Sequence, residues 1–530
     1  MTGTPVLTGP DRRAADVPVR PGARVATVVA LAALAGWLTA LTMPRGPITP
    51  VGAVAAMAVG VAVGVAAGYV LRSRWAMLLA PVAFAVAVEL GRVGVVGPTV
   101  DRPQVSTFFG VLVLVLGRGF HALVQLLPMV LGVAVGVGLA RGRSGASALR
   151  GWRRAAQWGR RGIAAVVAVG LVALAVVLTR PGTTAPIVDA AGRQVSGSVA
   201  ELATVRLGGH DQTVMIRGRD ATAPVVLYLA GGPGQSDLGY ARAYMTELED
   251  DVVVAVWDQR GTGTSYAALD PTATWTLDRA VADTVELATY LRDRFGQQRV
   301  YLVGNSWGST LGVLAVQRHP ELFAAYVGTG QMASQLEADR IIYRQVLDLA
   351  ARTGDTALAE RLRAAGPPPY RDVYVNAMLI DYYDAIGPYP RTEYFLTQGP
   401  AGIDGTGAEE YGPLDKVNKL KAMIDMGSVM YPQLQGVDFR TQVPRLEVPV
   451  YVVAGGHELT ARSGAAREWF DRLEAPAKQW ITFEGSGHVP HFEEFGRFRE
   501  VIREVVGRHG PPAGGPAPPA TAPPGGVGRP

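Results

Sequence analysis

The sequence lacks cysteine altogether and has only seven histidines among its 530 residues. The absence of cysteine excludes disulfide bonds, thiolate metal sites and a cysteine nucleophile. The histidines form no cluster with metal-ligand spacing, so we expect neither a metal ion nor a cofactor. The net charge of +5 is not accompanied by stripes of basic and aromatic residues, and we therefore expect no nucleic-acid partner.

Charge is nearly absent from five apolar segments in the first 180 residues. They comprise residues 24–43, 51–71, 75–90, 121–140 and 162–179. Each is close to the length of about 20 residues with which a helix crosses a bilayer core. One signal peptide would explain only the first segment, and all five are apolar on every face, unlike helices of a soluble core. We therefore predict an all-α transmembrane domain of about five helices, with four or six as alternatives, and a lipid bilayer as a partner.

Arginines are distributed unequally between the two sides that these spans would define. One side has thirteen arginines, in the first 24 residues and in the loops at residues 72–74 and 141–161, whereas the other side has four. Arginine-rich loops stay in the cytoplasm, so the N-terminal tail is predicted to be cytoplasmic. With five spans in the cell membrane, the region after a linker at residues 180–192 would be extracytoplasmic. An even number of spans would place that region inside.

A serine lies at a sharp turn between a predicted strand and a predicted helix. The β-branched run of residues 299–303 leads into Gly-Asn-Ser-Trp-Gly at residues 304–308, and a helix of small residues follows. The two glycines permit a tight turn that lifts the Ser306 hydroxyl above the strand ends, as in a nucleophile elbow. The same pattern also occurs in ordinary glycine-rich turns. A catalytic Ser306 would require a base and a carboxylate farther along the chain.

Two later strands are followed by loops that carry the required side chains. Glu458 follows the strand predicted at residues 448–454, and His488 follows the strand predicted at residues 479–484. Loops after strand ends are where open α/β sheets place their sites. We predict that His488 takes the proton from Ser306 and that Glu458 orients and stabilises the imidazolium. Two other histidines compete for the role of base, His457 and His491.

Two further loops follow apolar strands upstream of the serine. The strand at residues 225–229 runs into Gly-Gly-Pro-Gly at residues 231–234. The backbone N–H of Gly232, together with that of Trp307, is predicted to form an oxyanion hole. In the second loop, Asp258 and Arg260 are close enough to pair, and we interpret them as scaffold that braces the wall of the site.

These motifs together resemble the signature of the prolyl aminopeptidase-like (proline iminopeptidase) α/β-hydrolases. The resemblance covers roughly residues 193–508 and rests on four ordered motifs, at residues 231–234, 258–265, 304–309 and 485–488. It implies an α/β-hydrolase fold, a triad of Ser306, Glu458 and His488, and oxyanion donors from Gly232 and Trp307. The sequence departs from the family pattern at Ala230, where a histidine is usual, and at Glu458, where an aspartate is usual.

The spacing between the predicted nucleophile and acid indicates an inserted cap. Residues 307–457 exceed what the remaining strands and helices of a minimal hydrolase need, and a mostly helical cap is predicted at about residues 330–430. Helical patterns cover residues 332–351 and 356–365. In relatives that remove N-terminal residues, acidic cap groups hold the α-ammonium of the peptide. Acidic residues that could do so here, or that are simply solvated helix charges, are Glu337, Asp339, Asp381 and Asp384.

The combined interpretation is a membrane-anchored serine hydrolase that acts through an acyl-enzyme. The resemblance implies an aminopeptidase that releases N-terminal residues, proline in particular, from short peptides. A first alternative is an esterase or lipase-type enzyme with a small ester as substrate. A second is a non-catalytic membrane sensor or transport module with a vestigial hydrolase domain. The tail of residues 509–530 is predicted to be disordered, and the sequence does not indicate the oligomeric state.

Overall fold

The computed structural model describes residues 20–105, 107–142, 152–370, 372–390 and 405–510. The described residues group into two compact units. The first comprises residues within 20–44, 55–93 and 122–173, and the second comprises residues within 45–54, 94–121 and 174–510. Most of the predicted N-terminal and C-terminal tails lie outside the described residues.

Apolar helices occupy the first third of the described chain. Their bounds are Pro21–Thr42, Pro50–Leu71, Ala76–Gly91, Phe108–Arg141 and Trp152–Leu178. Within the described residues, four helices are long and apolar enough to cross a membrane, the last of them from Gln157 onward. Helix Ala76–Gly91 has 16 residues and is shorter than these four. The predicted count of about five spans is therefore not confirmed.

Helix Phe108–Arg141 is longer than the sequence pattern indicates. Its 34 residues include two π-helical segments, Val115–Gly119 and Ala122–Leu126. The apolar run at residues 105–117, which is too short to span alone, enters this helix from Phe108 onward. A π-helical segment has more residues per turn than an α-helix and so shifts the helical register.

Within the first unit, two helices approach closely through glycines. Gly60, Gly64 and Gly68 recur every fourth residue on helix Pro50–Leu71 and contact the backbone of residues 125–133. A Cβ atom at Gly64 would lie 2.0 Å from the carbonyl oxygen of Met129. Small residues at this spacing let apolar helices pack backbone against backbone, which is the usual way in which helices associate in lipid.

The second unit is built on one eight-stranded sheet. The strands are β1 Val199–Leu207, β2 His210–Gly218, β3 Val225–Leu229, β4 Val253–Trp257, β5 Val300–Asn305, β6 Phe323–Thr329, β7 Val450–Gly455 and β8 Lys478–Phe483. Their order in the sheet is β1-β2-β4-β3-β5-β6-β7-β8. Strands β1 and β2 are antiparallel to their neighbours, and the other pairings are parallel.

Helices cover both faces of this sheet. Strands β3, β4, β5 and β7 are buried along their whole length, as parallel strands between two helical layers must be. The helices outside the cap are Leu238–Tyr244, Leu277–Arg294, Trp307–Arg318, Thr460–Arg472, Pro490–Glu493 and Phe495–His509. Because β3, β5, β7 and β8 run in the same direction, the loops that follow them meet at one edge of the sheet.

The chain between β6 and β7 forms a helical insertion. Its helices are Gln335–Thr353, Thr356–Ala365, Val373–Ile380, Tyr383–Ile386, Pro413–Leu434 and Phe439–Gln442. The longest of them, Pro413–Leu434, is called the cap helix below, and it extends past the predicted end of the cap at residue 430. Residues 391–404, which fall inside the predicted cap, lie outside the described residues.

One buried carboxylate of the cap helix joins two loops that connect the apolar helices. Arg45 donates to Asp425 at 3.0 Å, and the backbone N–H of Thr99 donates to the same carboxylate at 3.0 Å. The Tyr266 hydroxyl also donates to Asp425, at 2.6 Å, and the Arg45 guanidinium donates to Asp270 at 2.8 Å. The side chains of Arg45 and Asp425 are fully buried. We call these five residues the Asp425 cluster.

Candidate active site

Ser306 lies at a strained turn between β5 and helix Trp307–Arg318. Its backbone has φ 51° and ψ −116°, a conformation that residues with a side chain rarely adopt. The turn is tight enough that neither flanking glycine could carry a side chain. A Cβ atom added to Gly304 would lie 2.5 Å from the carbonyl oxygen of Gly308. A Cβ atom added to Gly308 would lie 2.1 Å from the carbonyl oxygen of Leu229. These features are those of a nucleophile elbow.

His488 and Glu458 contact each other in the loops after β8 and β7. The Nδ1 atom of His488 is hydrogen-bonded to a carboxylate oxygen of Glu458, which leaves Nε2 as the ring nitrogen for proton transfer. The second carboxylate oxygen accepts from the Leu459 N–H at 2.8 Å and lies 3.4 Å from Arg462. Burial alone would raise the pKa of Glu458. The His488 ring, Arg462 and the Leu459 N–H outweigh burial and lower that pKa to about 2.

Ser306 and His488 line the same cavity, together with Glu458 and Gly232. Among the residues that the structure describes, Ser306 and His488 are not hydrogen-bonded to each other. Such bonds are often long before substrate binds and shorten in the complex. The His488 ring packs on Gly330, where a Cβ atom would lie 3.0 Å from the ring carbon Cε1. Gly330 therefore leaves the imidazole the room that it needs.

The two competing histidines have other partners. His491 is fully buried, and its Nε2 atom is hydrogen-bonded to the Tyr228 hydroxyl at 2.9 Å. Burial, and secondarily the charge of His488, lower the pKa of His491 to about 3. His457 stacks on the ring of Tyr389, with a distance of 5.1 Å between ring centroids. These environments favour His488 over both as the base.

The glycine-rich loop after β3 lies against the elbow. A Cβ atom at Gly231 would lie 2.9 Å from the Asn305 side-chain oxygen and 3.4 Å from the Ser306 Cβ atom. Gly232 has φ +114°, which turns the backbone in a way that glycine tolerates best. Gly231 thus packs against the elbow, and the oxyanion hole formed by the N–H groups of Gly232 and Trp307 stays a prediction.

A glutamine that the sequence analysis did not identify bridges these two loops. Gln259 donates from Nε2 to the Ala230 carbonyl oxygen at 3.3 Å, and its side-chain oxygen accepts from the Trp307 indole N–H at 2.8 Å. Gln259 is almost completely buried. No local sequence pattern would have identified it, because Ala230 and Trp307 are distant from it in the chain.

The predicted pairing of Asp258 with Arg260 is wrong. Asp258 accepts from the Thr264 N–H and hydroxyl, each at 2.8 Å, and also contacts the Ser236 hydroxyl. Burial raises the pKa of Asp258 to about 6 in spite of these hydrogen bonds. Arg260 instead donates to the Ala268 carbonyl oxygen at 2.7 Å. Both side chains stabilise the loop, as expected of scaffold residues, but they do so separately. Each bonds to hydrogen-bonding groups of the turn because these groups lie closer to it than the other side chain does.

The cavity has a volume of about 570 Å³ and receives residues from the cap. Of the four acidic residues predicted to bind an ammonium group, Asp384 lines it. Asp339 is buried and accepts from Tyr431 at 2.6 Å, and burial raises its pKa. Glu337 and Asp381 are not among the described residues that line the cavity. Asp384 is therefore the predicted acid that is best placed to meet a bound substrate.

Comparisons with known proteins place this architecture in a known class. The family described as alpha/beta hydrolase fold matches residues 224–368. A probable aminopeptidase of Bacillus subtilis is 28% identical over 317 residues, which are 59% of this chain and 98% of that protein. A proline iminopeptidase of Clostridium botulinum is 24% identical over 292 residues, 54% of this chain and 90% of that protein.

Solved structures are similar at lower identity. The proline iminopeptidase of Mycobacterium smegmatis is 23% identical with a TM-score of 0.40, over 58% of this chain and 98% of that chain. A proline iminopeptidase-related protein of Thermus thermophilus is 18% identical with a TM-score of 0.41, over 59% of this chain and 98% of that chain. The predicted fold class is confirmed by the family match, to which the sheet order corresponds. This chain therefore contains a domain with the α/β-hydrolase fold, and its sequence is similar to proline iminopeptidases.

Proposed function

We propose that this protein is a membrane-anchored serine hydrolase with a triad of Ser306, His488 and Glu458. The observation that carries the proposal is the hydrogen bond between Glu458 and His488 at the edge of a cavity that Ser306 also lines. The strained backbone at Ser306 supports it, because such strain persists where function requires it. The apolar helices of the first third support anchoring in a bilayer.

The reaction follows from the roles of these three side chains. As the Ser306 oxygen attacks the substrate carbonyl carbon, His488 takes the serine proton, and the negative oxygen of the tetrahedral intermediate accepts from the N–H groups of Gly232 and Trp307. The bond to the leaving group then breaks, and His488 gives its proton to the departing amine or alcohol. Water attacks the acyl-enzyme by the reverse proton path, which releases a carboxylic acid and restores the serine.

Within this class we propose an aminopeptidase that acts on substrates with a free N-terminus. The names of the two similar proteins above support a peptidase. Asp384 supports it as well, since a carboxylate at the cavity wall can pair with an α-ammonium group. Replacing Asp384 by Asn should raise KM for free aminoacyl substrates and leave KM for their N-acetylated forms unchanged.

An esterase is the second candidate, and the apolar lining of the cavity favours it. Side chains of the cap helix such as Leu420, Met423 and Ile424 line the cavity and offer no partner for a charged peptide terminus. Equal turnover of N-acetylated and free aminoacyl substrates, together with faster turnover of acyl esters, would support the esterase against the aminopeptidase.

A fluorophosphonate probe tests the common core of both candidates. The full-length protein, purified in detergent, should be labelled, and Ser306→Ala should abolish labelling. Ser309→Ala is the matched control and should still be labelled. It removes a neighbouring hydroxyl in the same helix, which is buried and donates to the Ser306 carbonyl oxygen at 2.6 Å. Absence of labelling, or labelling that persists in Ser306→Ala, would refute the triad and favour a non-catalytic module.

A further inference from the structure

We propose that the substrate is an amphiphile whose apolar chain binds against helix residues 108–116, next to the predicted catalytic serine. The inference rests on the proposed function, because it names the class of amide or ester that the same site would take. Part of the cavity wall comes from neither the sheet nor the cap.

Three apolar side chains of the long helix Phe108–Arg141 line the cavity. Phe109, Leu112 and Leu116 are spaced by three and four residues and so lie on one helical face. They line the same space as Ser306 and His488. Phe109 also contacts the ring of Tyr374, edge to face, with 5.3 Å between centroids. This wall offers no hydrogen bond to a polar substrate, whereas it can remove an alkyl chain from water.

The cap contributes apolar residues to the same cavity. Leu420, Met423 and Ile424 of the cap helix recur at three- and four-residue spacing, and Ile380 adds a further aliphatic side chain. An alkyl chain that lies against these residues would be removed from water along its length. Each buried methylene contributes about a fourfold gain in binding, so a chain of several carbons would dominate the affinity.

Several lining residues are both apolar and exposed. The exposed fractions are 37% for Leu112, 41% for Met423 and 53% for Ile380. On the outer side of helix Phe108–Arg141, the side chains of Phe108, Val111 and Val115 are also exposed. Exposed apolar surface of this extent marks a place where a partner or a membrane covers the protein. Here the partner is lipid, because the helix continues to Arg141 as an apolar helix long enough to cross a bilayer.

The length of this helix places the wall near the membrane boundary. Its 34 residues extend for about 50 Å at 1.5 Å per residue, whereas a bilayer core is about 30 Å thick. If about the last 20 residues span the core, residue 116 lies about 9 Å and residue 108 about 21 Å beyond it, so the wall runs from the outer limit of the lipid headgroups toward the solvent. An amphiphile at the bilayer surface could then place its chain against this wall and present its scissile carbonyl to Ser306.

A chain-length series tests this inference with the full-length protein in lipid nanodiscs. Two series are needed, p-nitrophenyl esters of acids with two to ten carbons, and prolyl amides of alkylamines with the same lengths. In at least one of them kcat/KM should rise two- to fourfold per methylene. Turnover that is flat or falls with length in both series, in an enzyme that is still labelled by the fluorophosphonate, would overturn the inference and leave the triad intact.

Variants of the helix identify the wall itself. Leu112→Gln combined with Leu116→Gln should flatten the dependence on chain length, whereas Val111→Gln combined with Val115→Gln, on the outer face, should keep it. Leu116→Phe adds bulk without polarity and should lower the longest chain that is turned over by two or more carbons. An unchanged length limit in Leu116→Phe, or equal slopes in both glutamine pairs, would refute the assignment of this wall.

Discussion

Glu458 is held by three neighbours, the His488 ring, Arg462 and the Leu459 N–H, and it is almost completely buried. With a pKa lowered to about 2, the carboxylate is ionised throughout the range in which an enzyme works. Its charge is therefore available to stabilise the imidazolium that forms when Ser306 loses its proton.

Replacing Glu458 by Gln should lower kcat by about 10³- to 10⁴-fold, because a neutral amide cannot stabilise the imidazolium and can select the wrong tautomer. Glu458→Asp should cost less, since it keeps the charge and matches the usual residue of the family. Steady-state kinetics of both variants check the prediction. A Gln variant with wild-type kcat would show that the acid is another residue.

The burial of His491 predicts that the stability of the protein depends on pH, independently of catalysis. Burial lowers its pKa from 6.5 to about 3, so the unfolded chain takes up a proton at a higher pH than the folded chain does. The protein therefore loses stability as pH falls below about 6.5, and the loss continues down to about pH 3. At pH 5 it should amount to about 2 kcal/mol.

Thermal unfolding of His491→Gln at pH 7 and at pH 5 measures this contribution. The fall in the unfolding midpoint between the two pH values should be smaller in the variant than in the wild type. His319→Gln, at an exposed position, is the control and should retain the wild-type fall. If His491→Gln loses as much stability on acidification as the wild type does, the buried neutral state of His491 is refuted.

The three side chains of the proposed triad could be predicted from the sequence, because each follows an apolar strand and their order along the chain matches a known pattern. Gln259 could not, because its role depends on contacts across long separations in the chain. Gln259 binds Trp307, 48 residues away, and no local pattern encodes such a contact. The prediction that Asp258 and Arg260 pair was wrong although the two residues are close in sequence. Closeness in sequence does not determine which polar group is nearest in a tight turn.

Among the structural elements, the elbow has the least tolerance for added atoms. Gly308→Ala should destabilise the protein by about 1–3 kcal/mol, because the new methyl group would lie 2.1 Å from the Leu229 carbonyl oxygen. Gly464→Ala is the matched control, since Gly464 lies exposed in helix Thr460–Arg472 with open space around its Cα. It should be neutral or stabilise by up to about 1 kcal/mol. Equal unfolding midpoints for the two variants would contradict the close approach at Gly308.

The Asp425 cluster gives the cap helix its connection to the loops that contain Arg45 and Thr99. Asp425→Asn should destabilise the folded state by about 3–5 kcal/mol, because it removes the buried charge partner of Arg45 and leaves only the partly exposed Asp270. Asp270→Asn removes a partner that is one-third exposed, and it should cost no more than about 1 kcal/mol. Urea unfolding followed by tryptophan fluorescence distinguishes the two. A cost for Asp270→Asn that equals the cost for Asp425→Asn would show that burial is not the deciding factor.

The regular elements were accessible from sequence to different degrees. The helix predicted at residues 356–365 has those bounds, and the helix predicted at residues 332–351 is observed as Gln335–Thr353. The long helix from Phe108 was not predicted as one element, because Arg118 interrupts its apolar pattern and two π-helical segments shift its register. The cap helix extends to Leu434 in spite of an internal proline at residue 432.

At the scale of the whole molecule, the contacts of Asp425 bear on how many times the chain crosses the bilayer. Arg45 follows helix Pro21–Thr42, and Thr99 follows helix Ala76–Gly91, yet both donate to the same carboxylate of the hydrolase domain. In a bilayer, we expect both loops to lie on the side that holds this domain. Between them lie helices Pro50–Leu71 and Ala76–Gly91. A return to the same side requires both helices to cross.

We therefore predict that the 16-residue helix Ala76–Gly91 crosses as well, although at about 24 Å it is shorter than a typical bilayer core. A total of five crossings stays a prediction; it would match the distribution of arginines and would put the hydrolase domain outside the cytoplasm. Fusion of alkaline phosphatase after residue 510 should give an active reporter, whereas fusion within residues 143–151 should not. A fluorescent protein that folds only in the cytoplasm should give the reverse pattern. An inactive phosphatase at the C-terminal position, with the full-length fusion present in the membrane fraction, would mean an even number of crossings and would require the Arg45 or the Thr99 contact with Asp425 to be broken.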